Sequence, residues 1–287
     1  MWRSLMSALT RLLLLLVAAT TLGAVFVRVA PGFSVDEREI TPGLSSESIQ
    51  ALHRERMEDA NLLRFYERYI SGLAHGDLGT SRTLNQPVRE LLRDRVPVSI
   101  RNLSAGLLFA WTFGIALAFC GYLVRSRFVS AAADACGGVL MSTPASVLAL
   151  AFLMLRWPPF LAVGLLVFPK IYRYTKNLLR DSLDLPHVLT ARAKGAGRWR
   201  VLTWHVAPIA SPQLITLFGV SIAIGLGVLL PVEVISDTPG IGLLAWTAAQ
   251  SRDLPLLVNL TLIVSIVTIG STVFCDEVRR LVTRGAA

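Results

Sequence analysis

Five stretches of this chain are long and apolar enough, or nearly so, to exclude an ordinary soluble fold: Leu12 to Ala30, Leu103 to Val124, Gly137 to Leu155, Gln213 to Val232 and Leu256 to Phe274. A helix needs roughly 20 mainly apolar residues to cross a bilayer, and in lipid every backbone polar group must be satisfied within a helix or a closed barrel. A sixth stretch, Trp157 to Pro169, is shorter and ends at Pro169 and Lys170. Trp157, Tyr172 and Tyr174 flank it as interfacial anchors, with Lys170 snorkelling between them. The expected fold is therefore all-α and membrane-integral, with six transmembrane helices. A composition of 53% apolar and only 16% charged residues agrees with this.

The first stretch also begins like a signal peptide, because Arg3 and Arg11 precede the apolar run at Leu12 to Ala19. It continues through Val25, Phe26, Val27 and Val29, longer than a usual signal core, so it reads as a retained span. The net charge of +9 invites a nucleic-acid reading, but its placement points to membrane topology instead. The connection from Arg173 to Ser211 holds seven Lys or Arg against Asp181 and Asp184. With six spans, it shares a side with Arg3 and Arg11, with Arg125 and Arg127, and with Arg279, Arg280 and Arg284. Positive charge marks cytoplasmic loops, so both termini are expected in the cytoplasm. The stretch 31–97 carries nine basic and eleven acidic residues and is too long for that bias to apply.

Within this polar stretch, Ile49, Leu52, Leu62, Leu63, Tyr66, Tyr69, Ile70 and Leu73 recur at helical spacing, and Ser45 or Ser46 with Glu47 can open that helix. It closes at the turn-forming Gly76-Asp77-Leu78-Gly79-Thr80-Ser81. The chain thus divides into residues 1–98, the first span with an external, partly helical segment, and residues 99–287, five spans with a cytoplasmic loop at about 173–211 before the fifth.

Catalytic and cofactor signatures are missing from the sequence. No G-x-x-x-x-G-K-S/T run offers a phosphate cradle, and no H-E-x-x-H or G-x-S-x-G occurs. Gly240 to Ala245 matches G-x-G-x-x-A, but it follows Pro239 between two spans and not a strand, so a dinucleotide site is excluded on context. His53, His75, His187 and His205 are scattered, and Cys120, Cys136 and Cys275 have no paired spacing. The cysteines read as buried small side chains. No cofactor, metal or enzymatic activity is expected.

The most informative segment is the basic loop Leu189-Thr190-Ala191-Arg192-Ala193-Lys194-Gly195, separated by nine residues from His205-Val206-Ala207-Pro208. Ala191 and Ala193 permit close approach of another surface, and Gly195 and Gly197 can stop a short helix. Trp199, with Arg198 and Arg200, can anchor at headgroups, and Pro208 and Pro212 are expected to break the chain before the fifth span. A plain basic loop would satisfy charge bias alone. It would not require a small-residue helix in a connection this long.

These residues resemble the cytoplasmic loop of ABC importer permeases, in which a glycine is followed after nine residues by an I-x-L-P-like end. Thr190 to Gly195 reads T-A-R-A-K-G, similar to the dipeptide, oligopeptide and nickel branch, and the first glutamate of the wider family is absent. Further segments fall in that branch's order: Pro31-Gly32, then Gly76, Asp77, Gly79 and Ser81, then Glu233, Pro239, Gly240, Gly242, Arg252 and Asp253. Phe33-Ser34 stands where D-P is common, and the connection Arg156 to Pro159 is short.

The resemblance implies a permease subunit in the bacterial cytoplasmic (inner) membrane. Its implied partners are cytoplasmic ABC ATPase subunits, a second homologous permease subunit, an external or periplasmic substrate-binding protein and membrane lipid, but not nucleic acid. ATP hydrolysis then belongs to the partner, and Leu189, Thr190, Ala191, Arg192, Ala193, Lys194, Gly195, His205 and Pro208 form the coupling loop. Glu233, Pro239, Gly240, Gly242 and Asp253 become candidates for gating or the pathway; an interfacial Glu233 that simply reaches water remains the plainer alternative. The cargo class is peptides, nickel or a related small solute. A stand-alone channel or secondary transporter would lean on intramembrane charges and repeated broken spans, and a membrane scaffold would need no docking loop.

Overall fold

The computed structural model describes residues 75–124 and 127–285, together with positions 6, 10, 18, 21, 69 and 71–73. Most of the expected first span (Leu12 to Ala30), Pro31-Gly32, and all but positions 69 and 71–73 of the helix opened by Ser45 or Ser46 lie outside the described residues. In chain order the helices are α1 (Val88–Val124), α2 (Arg127–Ser142), α3 (Ala145–Met154), α4 (Pro159–Leu183), α5 (Pro186–Ala193), α6 (Arg198–Ile235), α7 (Ile241–Gln250) and α8 (Leu254–Gly285). The only β pairing among the described residues is an isolated bridge between Thr80 and Pro87.

Three helices, α1, α6 and α8, are long and apolar enough to cross a membrane, and α2 with α3 makes a fourth crossing if the pair is counted as one bent span. The expected span Gly137 to Leu155 is bent by 99° between these two helices. Pro144 stands at the break: it lacks an N–H and disfavours helical backbone at Thr143 before it, so the helix stops and restarts in a new direction.

The weak sixth stretch is also different from expectation. The chain does not leave the helix at Pro169 and Lys170; α4 runs 25 residues to Leu183, with Pro169 buried inside it. Tyr172, expected at an interface, is buried and stacks on Phe168 at 6.2 Å between ring centroids. Cys120 and Cys136 are exposed on the chain's surface, contrary to the buried reading, and Cys275 is buried.

α4 lies against α1 along much of its length. Where they cross, a Cβ on Gly106 would sit 2.9 Å from the Phe160 carbonyl oxygen, and one on Gly164 would sit 2.7 Å from Phe109. Small residues at such crossings let helices pack closely in lipid, where burial from water contributes little between spans. α6 packs on α8, and both reach α1.

At one end of this bundle a separate apolar cluster joins Val88, Leu91 and Leu92 of α1 to Ile241, Leu244 and Ala248 of α7 and to Leu256 and Leu260 of α8. The short helix α7 is therefore seated on the ends of the long ones. At 37 residues, α1 is about 55 Å long, more than a bilayer's hydrocarbon core requires, so its first turns project beyond that core.

Candidate functional site

Two groups of residues singled out in the sequence are drawn into defined geometry, one at each end of the bundle. The first surrounds Glu233, near the C-terminal end of α6 and 0% exposed. Its carboxylate accepts from the Ser99 hydroxyl at 2.7 and 2.9 Å and from the Gly242 N–H at 2.8 Å. Ser99 Oγ in turn accepts from the Ile241 N–H at 2.7 Å. Ile241 and Gly242 open α7, so a carboxylate from α6 and a hydroxyl from α1 together satisfy N–H groups that a helix start leaves unpaired. The helix dipole adds to the attraction.

This arrangement explains the glycines. Gly240 stands at the N-cap position of α7, where no side chain of its own can cap. A Cβ there would lie 2.3 Å from Glu233 Oε2 and from its carboxyl carbon, while one on Gly242 would lie 2.5 Å from the Leu230 carbonyl oxygen. The carboxylate fits because both positions lack a side chain. Pro239 sets the turn between Thr238, whose N–H bonds back to the Glu233 carbonyl at 2.9 Å, and Gly240.

The other end of α7 is held by a second buried carboxylate. Asp253, 1% exposed, precedes α8 and accepts the Leu256 N–H at 3.2 Å, the geometry of an N-cap. Its other oxygen accepts from the Ser81 hydroxyl at 2.5 Å and from the Thr83 N–H at 3.1 Å. Ser81 belongs to the Gly76–Ser81 segment, which turns through Gly76 and Gly79 at φ of +77° and +75°. Asp77 braces that turn by accepting the Gly79 N–H at 2.8 Å. Asn259 of α8 adds a further tie, donating to the Leu78 carbonyl at 2.9 Å. The two motifs, far apart in sequence, thus meet at one corner.

Asp253→Ala should strip Leu256, Thr83 and Ser81 of their acceptor and cost on the order of 2–3 kcal/mol. Asp253→Asn, keeping one acceptor oxygen, should cost less. Thermal unfolding of the detergent-solubilised chain measures both, and equal midpoints for wild type and Asp253→Ala would show the corner to be dispensable.

At the opposite end, α4 leads through Asp184 and Leu185 into α5. The helix starts earlier than the expected Leu189: Pro186 occupies its first turn, where a missing N–H costs nothing. Thr190 bonds back to the Pro186 carbonyl at 2.9 Å. Gly195 ends the helix at φ +82°, with its N–H on the Arg192 carbonyl at 3.0 Å and the Ala196 N–H on the Ala191 carbonyl at 3.1 Å. That pair of bonds is the Schellman motif, and glycine meets its left-handed position without strain. Arg192 and Lys194 lie at this end, where positive charge is favoured.

Val188 roots α5 in the main core, whereas Leu189 is 48% exposed and Ala193, Lys194 and Gly195 face outward. Beside it lies an open concavity of about 350 Å³ lined by His187, Thr190, Ala191, Lys194, Arg200 and His205. Pro208 and Pro212 do not break the chain before the fifth span. Residues Val201–Val206 are wound as a π-helix, and the chain continues through Pro208 and Pro212 into the long apolar segment. A proline cannot donate to the carbonyl four residues back, and the wider turn before Pro208 accommodates that loss. Arg198 reaches across to the Leu123 carbonyl at the end of α1 at 2.5 Å, tying the loop to the first described span.

Sequence reasoning missed Ser99, Asn102, Pro186 and Val188. The signal for the first two is two polar residues three apart, on one face at the start of an apolar helix. For Pro186 it is the N1 preference of proline.

Residues 89–286 match the family described as binding-protein-dependent transport system inner membrane component. Similar proteins include a putative peptide permease protein of Brucella suis biovar 1 (strain 1330), 26% identical over 91% of this chain and 92% of that one. A glutathione transport system permease protein of Salmonella paratyphi A (strain ATCC 9150 / SARB42) is 25% identical over 81% of each chain. A putative peptide transport system permease protein of Brucella abortus (strain 2308) is 26% identical over 82% of this chain and 83% of that one.

Proposed function

Because the chain belongs to the family of binding-protein-dependent transport system inner membrane components, we propose that it is one permease subunit of an ABC importer for small peptides. Peptide cargo is supported by the names of the relatives, one of them for glutathione, itself a tripeptide. Nickel has no comparable support here. The observation that carries the reading is α5: a rooted, glycine-stopped helix presenting small residues outward beside a concavity.

In this account the chain spans the inner membrane six times with both termini in the cytoplasm. The N-terminal stretch, α1, the bent α2–α3 pair, α4, α6 and α8 form the crossings. Residues 1–98 supply the first span and external segment, and residues 99–287 supply the core. The basic loop 173–211 then faces the cytoplasm, where α5 seats in a cleft of the ATPase and nucleotide-driven closure moves the spans as rigid bodies. A second permease covers exposed apolar faces such as those bearing Leu108 and Phe274, and a periplasmic binding protein delivers cargo to the end capped by α7. The hydrolytic chemistry belongs to the ATPase.

Glu233 acts as an outer latch that holds α7 on α1 and α6 while the pathway is closed to the outside. Glu233→Gln keeps the shape but gives up one acceptor and the charge, and should lower peptide uptake about tenfold, the worth of one hydrogen bond to a charged group. Uptake by reconstituted vesicles containing both permeases, the ATPase and the binding protein measures this. Unchanged assembly and unchanged transport kinetics in Glu233→Gln would remove the latch.

A further inference from the structure

One stripe of α5 faces the segment that opens α6. His187, Thr190, Ala191 and Lys194, spaced three and four apart, line the concavity of about 350 Å³ from one side, and Arg200 and His205 line it from the other. Among the described residues, no carboxylate lines it. Residues 185–211 contain no Asp or Glu at all, so this part of the loop has no counter-charge of its own. Lys194 and Arg200 are exposed, and among the described residues neither side chain makes an ion pair or a hydrogen bond. Other cations of the same connection are tied to the bundle. Lys176 pairs with Asp134 at 2.6 Å, Arg173 donates to the Asp134 carbonyl at 3.3 Å and Arg198 to the Leu123 carbonyl. Lys194 and Arg200 instead leave their charge at the concavity.

We propose that this concavity receives an acidic segment of the cytoplasmic ATPase, whose carboxylates pair with Lys194 and Arg200. The inference rests on the docking reading of α5 above, because Ala191 and Gly195 belong both to the wall of the concavity and to the proposed seat. A surface that closes over α5 also closes over the two cations. Taking an ammonium or a guanidinium out of water without a counter-charge is costly, so a partner that seats here has to bring negative charge. The planar guanidinium of Arg200 suits a two-pronged carboxylate contact, and Lys194, a point charge on a flexible stem, can follow a second one. Opposite charges would also guide the encounter and fix the register of the docked helix.

The chain has three lysines, Lys170, Lys176 and Lys194, and Lys176 is engaged by Asp134, which makes Lys194 a selective chemical handle. A carbodiimide activates a carboxyl group, and a touching amine displaces the urea to form an amide, so coupling reports direct contact between the two groups. The test treats the full chain and its companion permease, held in phosphatidylcholine vesicles with a co-expressed candidate ABC ATPase subunit, and identifies the products by mass spectrometry. The expected product joins Lys194 to an Asp or Glu of the ATPase and is absent in Lys194→Arg, which keeps the charge but cannot be coupled. The double variant Lys194→Gln with Arg200→Gln should bind the ATPase about a hundredfold more weakly and with a flatter dependence on salt, at an unchanged unfolding midpoint. Capture of the ATPase without any Lys194 product overturns the proposal and leaves the docking of α5 standing, as does wild-type affinity in the double variant. No capture by the wild type refutes the docking reading and the proposal with it. A loss of affinity in the double variant that arises only when anionic lipid is added to the vesicles assigns the two cations to lipid headgroups and also overturns it. Should the double variant not assemble, the coupling result on the wild type decides.

Discussion

Gly195→Arg is expected to abolish uptake while the chain remains inserted and paired with its companion permease. No atom lies within 4 Å of the place where a Cβ would stand at Gly195, so the substitution meets no internal clash. Its intrinsic cost is the left-handed backbone at φ +82°, about 1–2 kcal/mol for a side-chain-bearing residue. That is small against the stability of a multi-helix bundle. The arginine side chain would instead fill the outward surface beside Ala191 and Ala193, the proposed seat of the ATPase, so a fall in uptake of a hundredfold or more is expected from lost seating. Gly195→Asn separates the two causes, because asparagine tolerates the left-handed region and its side chain is short. Uptake near wild type in Gly195→Asn, with none in Gly195→Arg, assigns the loss to steric exclusion.

Gly240→Ala should have the second large effect, for the opposite reason. Its backbone at φ −109° suits any residue, but the added Cβ would fall 2.3 to 2.4 Å from all three atoms of the Glu233 carboxyl group. The carboxylate must move, and Ser99 and Gly242 lose their shared acceptor. Overpacking together with unmet buried donors amounts to about 2–4 kcal/mol. The unfolding midpoint of the solubilised complex should fall accordingly, and ATP hydrolysis should proceed without loaded binding protein as the outer end loosens. Adding Glu233→Ser removes the overlap, so the double variant should lose less stability than the two single variants summed, by on the order of 1–3 kcal/mol. Strict additivity would mean that the two residues do not meet.

The long apolar helices and the glycine stop of α5 were legible because their signals are local. Uninterrupted apolar runs announce α1, α6 and α8, and the T-A-R-A-K-G run with its glycine announces the end of α5. Helix ends were harder where no glycine marks them. The motif that closes α5 at Gly195 also closes α3 at Arg156, α6 at Asp237 and α7 at Arg252, each at positive φ, with bonds such as Trp157 N–H to the Phe152 carbonyl and Asp253 N–H to the Ala248 carbonyl. Non-glycine residues there give little warning in sequence, because tertiary packing imposes the conformation. Prolines misled in the other direction. Pro169 and Pro212 read as stops but sit inside helices, and at Pro212 the freed Pro208 carbonyl accepts from the Ser211 hydroxyl at 3.0 Å, whereas Pro144 does mark a break. The candidate site was half visible. Glu233, Gly240, Gly242, Ser81 and Asp253 stand out as polar or turn residues beside spans, but that Ser99 meets Glu233 across 134 positions of sequence, and Ser81 meets Asp253 across 172, follows only from the packing of α1, α6, α7 and α8.

The central claim is that α5 and its glycine stop form the seat for a cytoplasmic ATPase. The most direct measurement is co-purification in mild detergent of this chain with a co-expressed candidate ABC ATPase subunit, wild type against Gly195→Arg. The account predicts specific capture by the wild type and its loss in the variant. No capture by either would contradict it in favour of a self-sufficient transporter, and equal capture by both would place the ATPase contact elsewhere on the chain.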